Sequence, residues 1–172
     1  MSKYTSMLKN TIPSLSFLFA FLLIASCEQD RLEPALETAD GGGTLTRFTA
    51  YTIDSTDPEG SNVNGRIVFW QDRSNRTLVQ ISLYNTVPGL QHPALILDGA
   101  VGMDNEIILD LGSVSGDTGE LASSKFFIVD DADYYSSIAE MDSHINIYLS
   151  ESDDIIVATG DLGSNAEPVD TN

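Results

Sequence analysis

Three shortages bound what this chain can be. It has a single cysteine, Cys27, so no intramolecular disulfide can form and the usual staple of small exported domains is excluded. It has eight Lys and Arg against 26 Asp and Glu, a net charge of −18. Such a surface repels nucleic acid and anionic headgroups, which argues against a polyanion partner. It has two histidines, His92 and His144, too few imidazoles for a transition-metal centre. Apolar runs of membrane-spanning length are missing as well. The stretch at residues 15–25 has 11 residues where a span needs about 20.

What stands at the N-terminus has the three parts of an export signal. Lys3 and Lys9 form a basic start, residues 15–25 an apolar middle, and Ile24-Ala25-Ser26-Cys27 a small-residue cleavage region. The last four residues resemble the lipobox of bacterial lipoproteins. That resemblance implies cleavage before Cys27, diacylation of its sulfur with chains such as palmitate, and acylation of its amine. Two or three chains make a stable anchor, whereas one binds only marginally. Glu28 follows the cysteine where aspartate often marks inner-membrane retention, which points to the outer membrane. Removing residues 1–26 takes away two lysines and no acid, leaving six basic residues against 26 acidic ones, a net charge of −20.

Residues 28–43 are polar or small, with Pro34 and the triplet Gly41-Gly42-Gly43, and show no apolar period. They read as a flexible tether spanning roughly 20 to 25 Å as a coil. Residues 44–163 make one domain, and residues 164–172 a polar tail expected to be disordered.

Within the domain, short β-rich runs alternate with turn signals. Residues 47–53 open the series, with Phe48 and Ala50 on one face and Thr49, Tyr51 and Ile53 on the other. Residues 66–71 and 77–84 are predicted to form a hairpin across Asp72-Arg73-Ser74-Asn75. Further strands are predicted at 94–97, 106–111, 125–129, 145–149 and 155–162, and one short helix or turn at 134–141. The expected fold is all-β, a single Greek-key β-sandwich.

The order of landmarks resembles the chordin-type (CHRD) domain, which also occurs in bacterial exported proteins. Residues 48–53, the acidic loop 54–64 and the Gly65-opened strand resemble its opening, and Leu78 to Tyr84 followed by Val87-Pro88-Gly89-Leu90 its third strand and Gly-Leu step. His144-Ile145-Asn146-Ile147-Tyr148 resembles its late Tyr-Val-Asn-Val-His run, and Ala158-Thr159-Gly160 part of its closing run. The resemblance implies an immunoglobulin-like or superoxide-dismutase-like sandwich. The family's Ala-His-Ile-His segment is matched by Ala94-Leu95-Ile96-Leu97, so all three family histidines are replaced, by Leu95, Leu97 and Tyr148, and no metal role carries over.

Catalytic patterns are absent. In Gly112-Ser113-Val114-Ser115-Gly116 neither serine has glycine both two before and two after it, so a turn between strands is the better reading than a nucleophile elbow. There is no phosphate loop or dinucleotide fingerprint, and acid pairs such as Asp153-Asp154 are too common here to nominate a glycosidase. The calcium candidates are Asp54, Asp57 and Glu59, together with Asn62 and Asn64 in the same loop, although EF-hand spacing is not met. His92 is expected to line a loop beside Pro93 and His144 to begin a strand. Phe126 or Phe127 is expected in the core, and Tyr134 and Tyr135, after three aspartates, on the surface. The expected function is a lipid-anchored, non-enzymatic binding or structural module at the cell envelope. It would need no cofactor, touch the membrane through the acyl chains on Cys27, and meet an envelope or extracellular protein or glycan. A calcium-dependent adhesion domain and an envelope hydrolase with an unrecognised carboxylate site are the alternatives.

Overall fold

The computed structural model describes residues 44–103 and 106–170. The signal segment, Cys27 and the tether lie outside the described residues.

Alternation of apolar side chains builds the first three strands. β1 (Leu45–Ser55), β2 (Asn64–Asp72) and β3 (Thr77–Tyr84) form an antiparallel meander in which Tyr51 faces Ile67 and Phe69 faces Val79. Because successive residues point to opposite faces, Tyr51, Ile53, Ile67, Phe69, Val79 and Ile81 enter the main core. Ala50, Val68, Trp70 and Leu78 form a smaller cluster on the other face, capped by Phe126. β2 is therefore covered on both sides, which suits its near-continuous apolar run of Ile67 to Trp70.

The β2–β3 turn is closed by Asp72. Its Oδ1 accepts from the N–H groups of Ser74 (2.8 Å) and Arg76 (2.9 Å), and its Oδ2 takes an ion pair from Arg76 at 2.7 Å. Asn75 supplies the left-handed residue, with φ of 62°.

The remaining strands are β4 (Gln91–Asp98), β5 (Ile107–Ser115), β6 (Phe127–Val129), β7 (Asp142–Ser150) and β8 (Asp153–Gly163). A single helical turn, α1 (Tyr134–Ser137), continues into a 3₁₀ turn at Ile138–Glu140 before β7. The strand order is β5-β4-β7-β8-β1-β2-β3-β6, with every neighbouring pair antiparallel, making one nearly closed eight-strand sheet. The all-β expectation holds, and the main core draws Ala94, Ile96, Leu111, Ile145, Ile147 and Ala158 against the meander.

Two close approaches shape that wrapping. β1 and β8 pair through Asp54–Thr159 and Ser55–Ala158, and Gly160 lies so near Thr52 O that no side chain would fit. After β5 the chain reaches back to β3, where Leu83 N–H donates to Gly119 O at 2.8 Å. Gly119 has φ of +71° and abuts Leu83 O, a combination only glycine satisfies.

Three expectations are corrected. The segment from Gly112 to Gly116 is not simply a turn between strands. Residues 112–115 belong to β5, and Gly112, with φ of 77°, makes a bulge where the register with β4 shifts between Pro93 and Leu95. Tyr135 is buried and Tyr134 half-buried on the main core rather than on the surface, because α1 packs against the meander, Tyr135 meeting Arg47 and Thr49 of β1. The polar tail was expected to lack order, yet Val169 N–H donates to Ala50 O at 2.9 Å and its side chain packs on the cluster around Trp70. Two apolar residues in a polar stretch were enough, since Ala166 also meets the main core. Among the described residues no helix is long and apolar enough to cross a membrane.

Candidate functional site

Both histidines are buried and fully used. His92, on β4, accepts from Val87 N–H through Nε2 at 3.3 Å, which places its proton on Nδ1 for donation to Tyr148 O at 3.1 Å. It thus ties the β3–β4 loop to β7, in agreement with the loop-lining role expected of it. His144, the third residue of β7, donates from Nδ1 to Gly99 O at 2.7 Å, and its Nε2 receives Asn146 Nδ2 at 3.4 Å. Asn146 Oδ1 in turn accepts from Thr159 Oγ1 at 2.7 Å.

This row pins the connection between β4 and β5. Gly99 N–H donates to Asp142 O at 2.8 Å, and Val101 N–H donates to Asp161 Oδ1 at 2.7 Å. The connection is therefore fastened to β7 and β8 at three places. Sequence reading missed Asn146, Thr159 and Asp161. The signal was the polar alternation of His144 and Asn146 between Ile145 and Ile147, which marks a second, polar face of β7. What lies on that face could not be read from the pattern.

Leu95 and Leu97 stand beside this row, since Leu95 pairs with Asn146 and Leu97 with His144. Tyr148 follows two positions along β7. Leu95 and Leu97 thus make an apolar flank beside a hydrogen-bonded polar row.

The calcium candidates are not gathered into a cage. Asp57 Oδ2 accepts from Ser61 N–H at 3.2 Å, and its main-chain O accepts from Gly60 and Asn62 N–H, so its carboxylate turns into its own loop. Asp54 sits on β1 opposite Thr159, while Glu59 is exposed in the loop. Asn62 O accepts from the side chains of Asn64 (2.7 Å) and Asn85 (2.9 Å), which commits both amides to shaping the loop. Among the described residues no three His, Cys, Asp or Glu side chains converge on a point a metal ion could take.

The aromatic residues divide between structure and surface. Trp70 donates to Gln80 Oε1 at 3.1 Å and stacks at a tilt on Phe48, 5.0 Å between centroids. Tyr135 lies beneath the Arg47 guanidinium at 4.6 Å, with its Oη 3.1 Å from Thr49 Oγ1. Tyr134 packs on the main core with a buried Oη that has no hydrogen-bond partner among the described residues, and burial pushes its phenol up to about 12. Burial also raises the Tyr51 phenol, against a smaller lowering by the Gly163 backbone.

No protein-family model, curated protein or solved structure matches this chain.

Proposed function

We propose that this chain is a lipid-anchored, exported β-domain of CHRD-like pattern that acts as a non-enzymatic binding or structural module at the cell envelope. The observation that carries the reading is the engagement of both histidines. His92 has both nitrogens in bonds that tie the β3–β4 loop to β7, and His144 bonds Gly99 O and its β7 neighbour Asn146, so both rings are already engaged structurally. The location rests on Lys3, Lys9, the apolar residues 15–25 and Cys27. Replacement of the family histidines by Leu95, Leu97 and Tyr148 supports a module without a metal.

Metabolic labelling with palmitate tests the anchor. The native chain is expected to take up label and sediment with the outer-membrane fraction, while Cys27→Ser takes up none and loses that fractionation. Label in the variant, or a native chain found free in the soluble fraction, would end the lipoprotein reading.

A further inference from the structure

β5 closes the sheet on one side, and its two halves differ. The second half is covered: Val114 bridges Leu121, Ser115 N–H donates to Glu120 O at 2.8 Å, and Ala122 N–H donates to Ser113 O at 2.9 Å. The first half, residues 107–111, pairs among the described residues with β4 alone. Leu109 and Leu111 pack inward, whereas Ile107 is 57% and Ile108 43% exposed, beside Val101 at 40% and Met103 at 58% on the pinned connection.

Natural sheets blunt such edges with lysine, proline or short strands. Residues 107–111 carry no lysine or proline; Asp110 is the one charge on them, accepting from Gly112 N–H at 2.8 Å at the bulge, and the neighbouring charges are of one sign. No Lys or Arg occurs from Thr77 to Ser124 or after Lys125, so β4, β5, β7 and β8 carry neither. Glu106 and Asp110 flank the exposed isoleucines.

We propose that the open half of β5 accepts an extended, cationic and β-prone segment of a partner protein as an added ninth strand. This deepens the binding-module reading on which it rests by stating the partner's chemistry. An added strand satisfies the edge's backbone groups, and alternating side chains on it meet Ile108 and Asp110, an apolar and an acidic contact in succession. Charge selects among occupants. A second copy would set Glu106 and Asp110 against their own kind, and a bilayer would leave the edge's N–H and C=O groups unpaired in hydrocarbon. A lysine-bearing strand meets both demands.

The test uses the full chain in detergent micelles and a fluorescein-labelled nine-residue Lys/Val peptide whose one face alternates the two, Val-Thr-Lys-Thr-Val-Thr-Lys-Thr-Val, with the Glu/Val peptide, Glu in place of each Lys, as its counterpart. Anisotropy should show binding of the Lys/Val peptide and not of the other. Amide exchange at residues 107–111 should slow on binding. Ile108→Lys should weaken binding at least tenfold, while Ile155→Lys, at a more exposed position on β8, leaves it unchanged. Thermal melting of both variants checks that they are folded. Absence of binding overturns the proposal, as does binding that ignores Ile108→Lys and leaves exchange unslowed, which is an ion atmosphere only. Slowed exchange caused by phosphatidylcholine vesicles without peptide would assign the edge to a bilayer. Slowing that grows with the chain's own concentration would assign it to self-pairing, and either result overturns the proposal. Failure of the wider functional reading shows elsewhere, as loss of Cys27 acylation or as catalytic turnover, and neither enters these measurements.

Discussion

At the residue scale, polar groups that look reactive in a list are structural in place. Asp72 is the clearest case. Burial would raise its carboxyl, but bonds from the Arg76 side chain and from the N–H groups of Arg76 and Ser74 outweigh this and hold it below the usual carboxylate range. A carboxyl depressed by folding contributes stability above its unfolded value, about 3.9, and loses it as pH falls through the folded value. Asp72→Asn should therefore cost about 1 to 3 kcal/mol in urea unfolding at neutral pH, with the gap to the native chain closing below about pH 4. Tyr134 has the opposite sign. Its raised phenol contributes fully below about pH 10 and loses that contribution as pH rises toward its folded value of about 12. Because its buried Oη lacks a partner, Tyr134→Phe should not destabilise at pH 7 and should flatten the alkaline loss of stability followed by circular dichroism.

At the element scale, the β4–β5 connection owes its position to β7 and β8 rather than to its own residues. Gly99, Ala100 and Gly102 have little to pack, so the fastening comes from His144, Asp142 and Asp161. His144→Ala should leave Gly99 O and Asn146 without their partner and cost about 2 to 3 kcal/mol. Hydrogen exchange should show the loss concentrated at residues 99–103, with the β1–β3 meander protected as before. Uniformly faster exchange would instead mean that His144 supports the whole core. The bulge at Gly112 acts on the same hairpin, dividing β5 into an open and a covered half. The acidic loop 54–64 is likewise set by its own turn, with Asp57, Asn64 and Asn85 bonding inward.

At the scale of the whole molecule, the charge is unevenly placed. Arg47, Arg66, Arg73, Arg76 and Lys125 lie on the meander or beside β6, while the β5-β4-β7-β8 half carries acids alone. Like charges crowded on one half repel in the folded state more than in the extended chain. Raising salt from a few millimolar to ~0.15 M, where the Debye length is about 8 Å, should lift the melting temperature by several degrees. A flat response would mean that these carboxylates are spaced too widely to interact.

The strands were legible in the sequence because β-branched and aromatic residues alternate with polar ones, and a period of two survives without knowledge of any partner. The β2–β3 turn was legible because Asp72 and Asn75 carry turn chemistry within four residues. Tyr135, Val169, the bulge at Gly112 and the row from Gly99 through His144 and Asn146 to Thr159 were not legible. Each depends on a contact between segments far apart in the chain, such as Val169 with Ala50 or His144 with Gly99. A sequence pattern states which face of a strand is apolar or polar; only the folded sheet decides what lies against that face, and which strand is left at its edge.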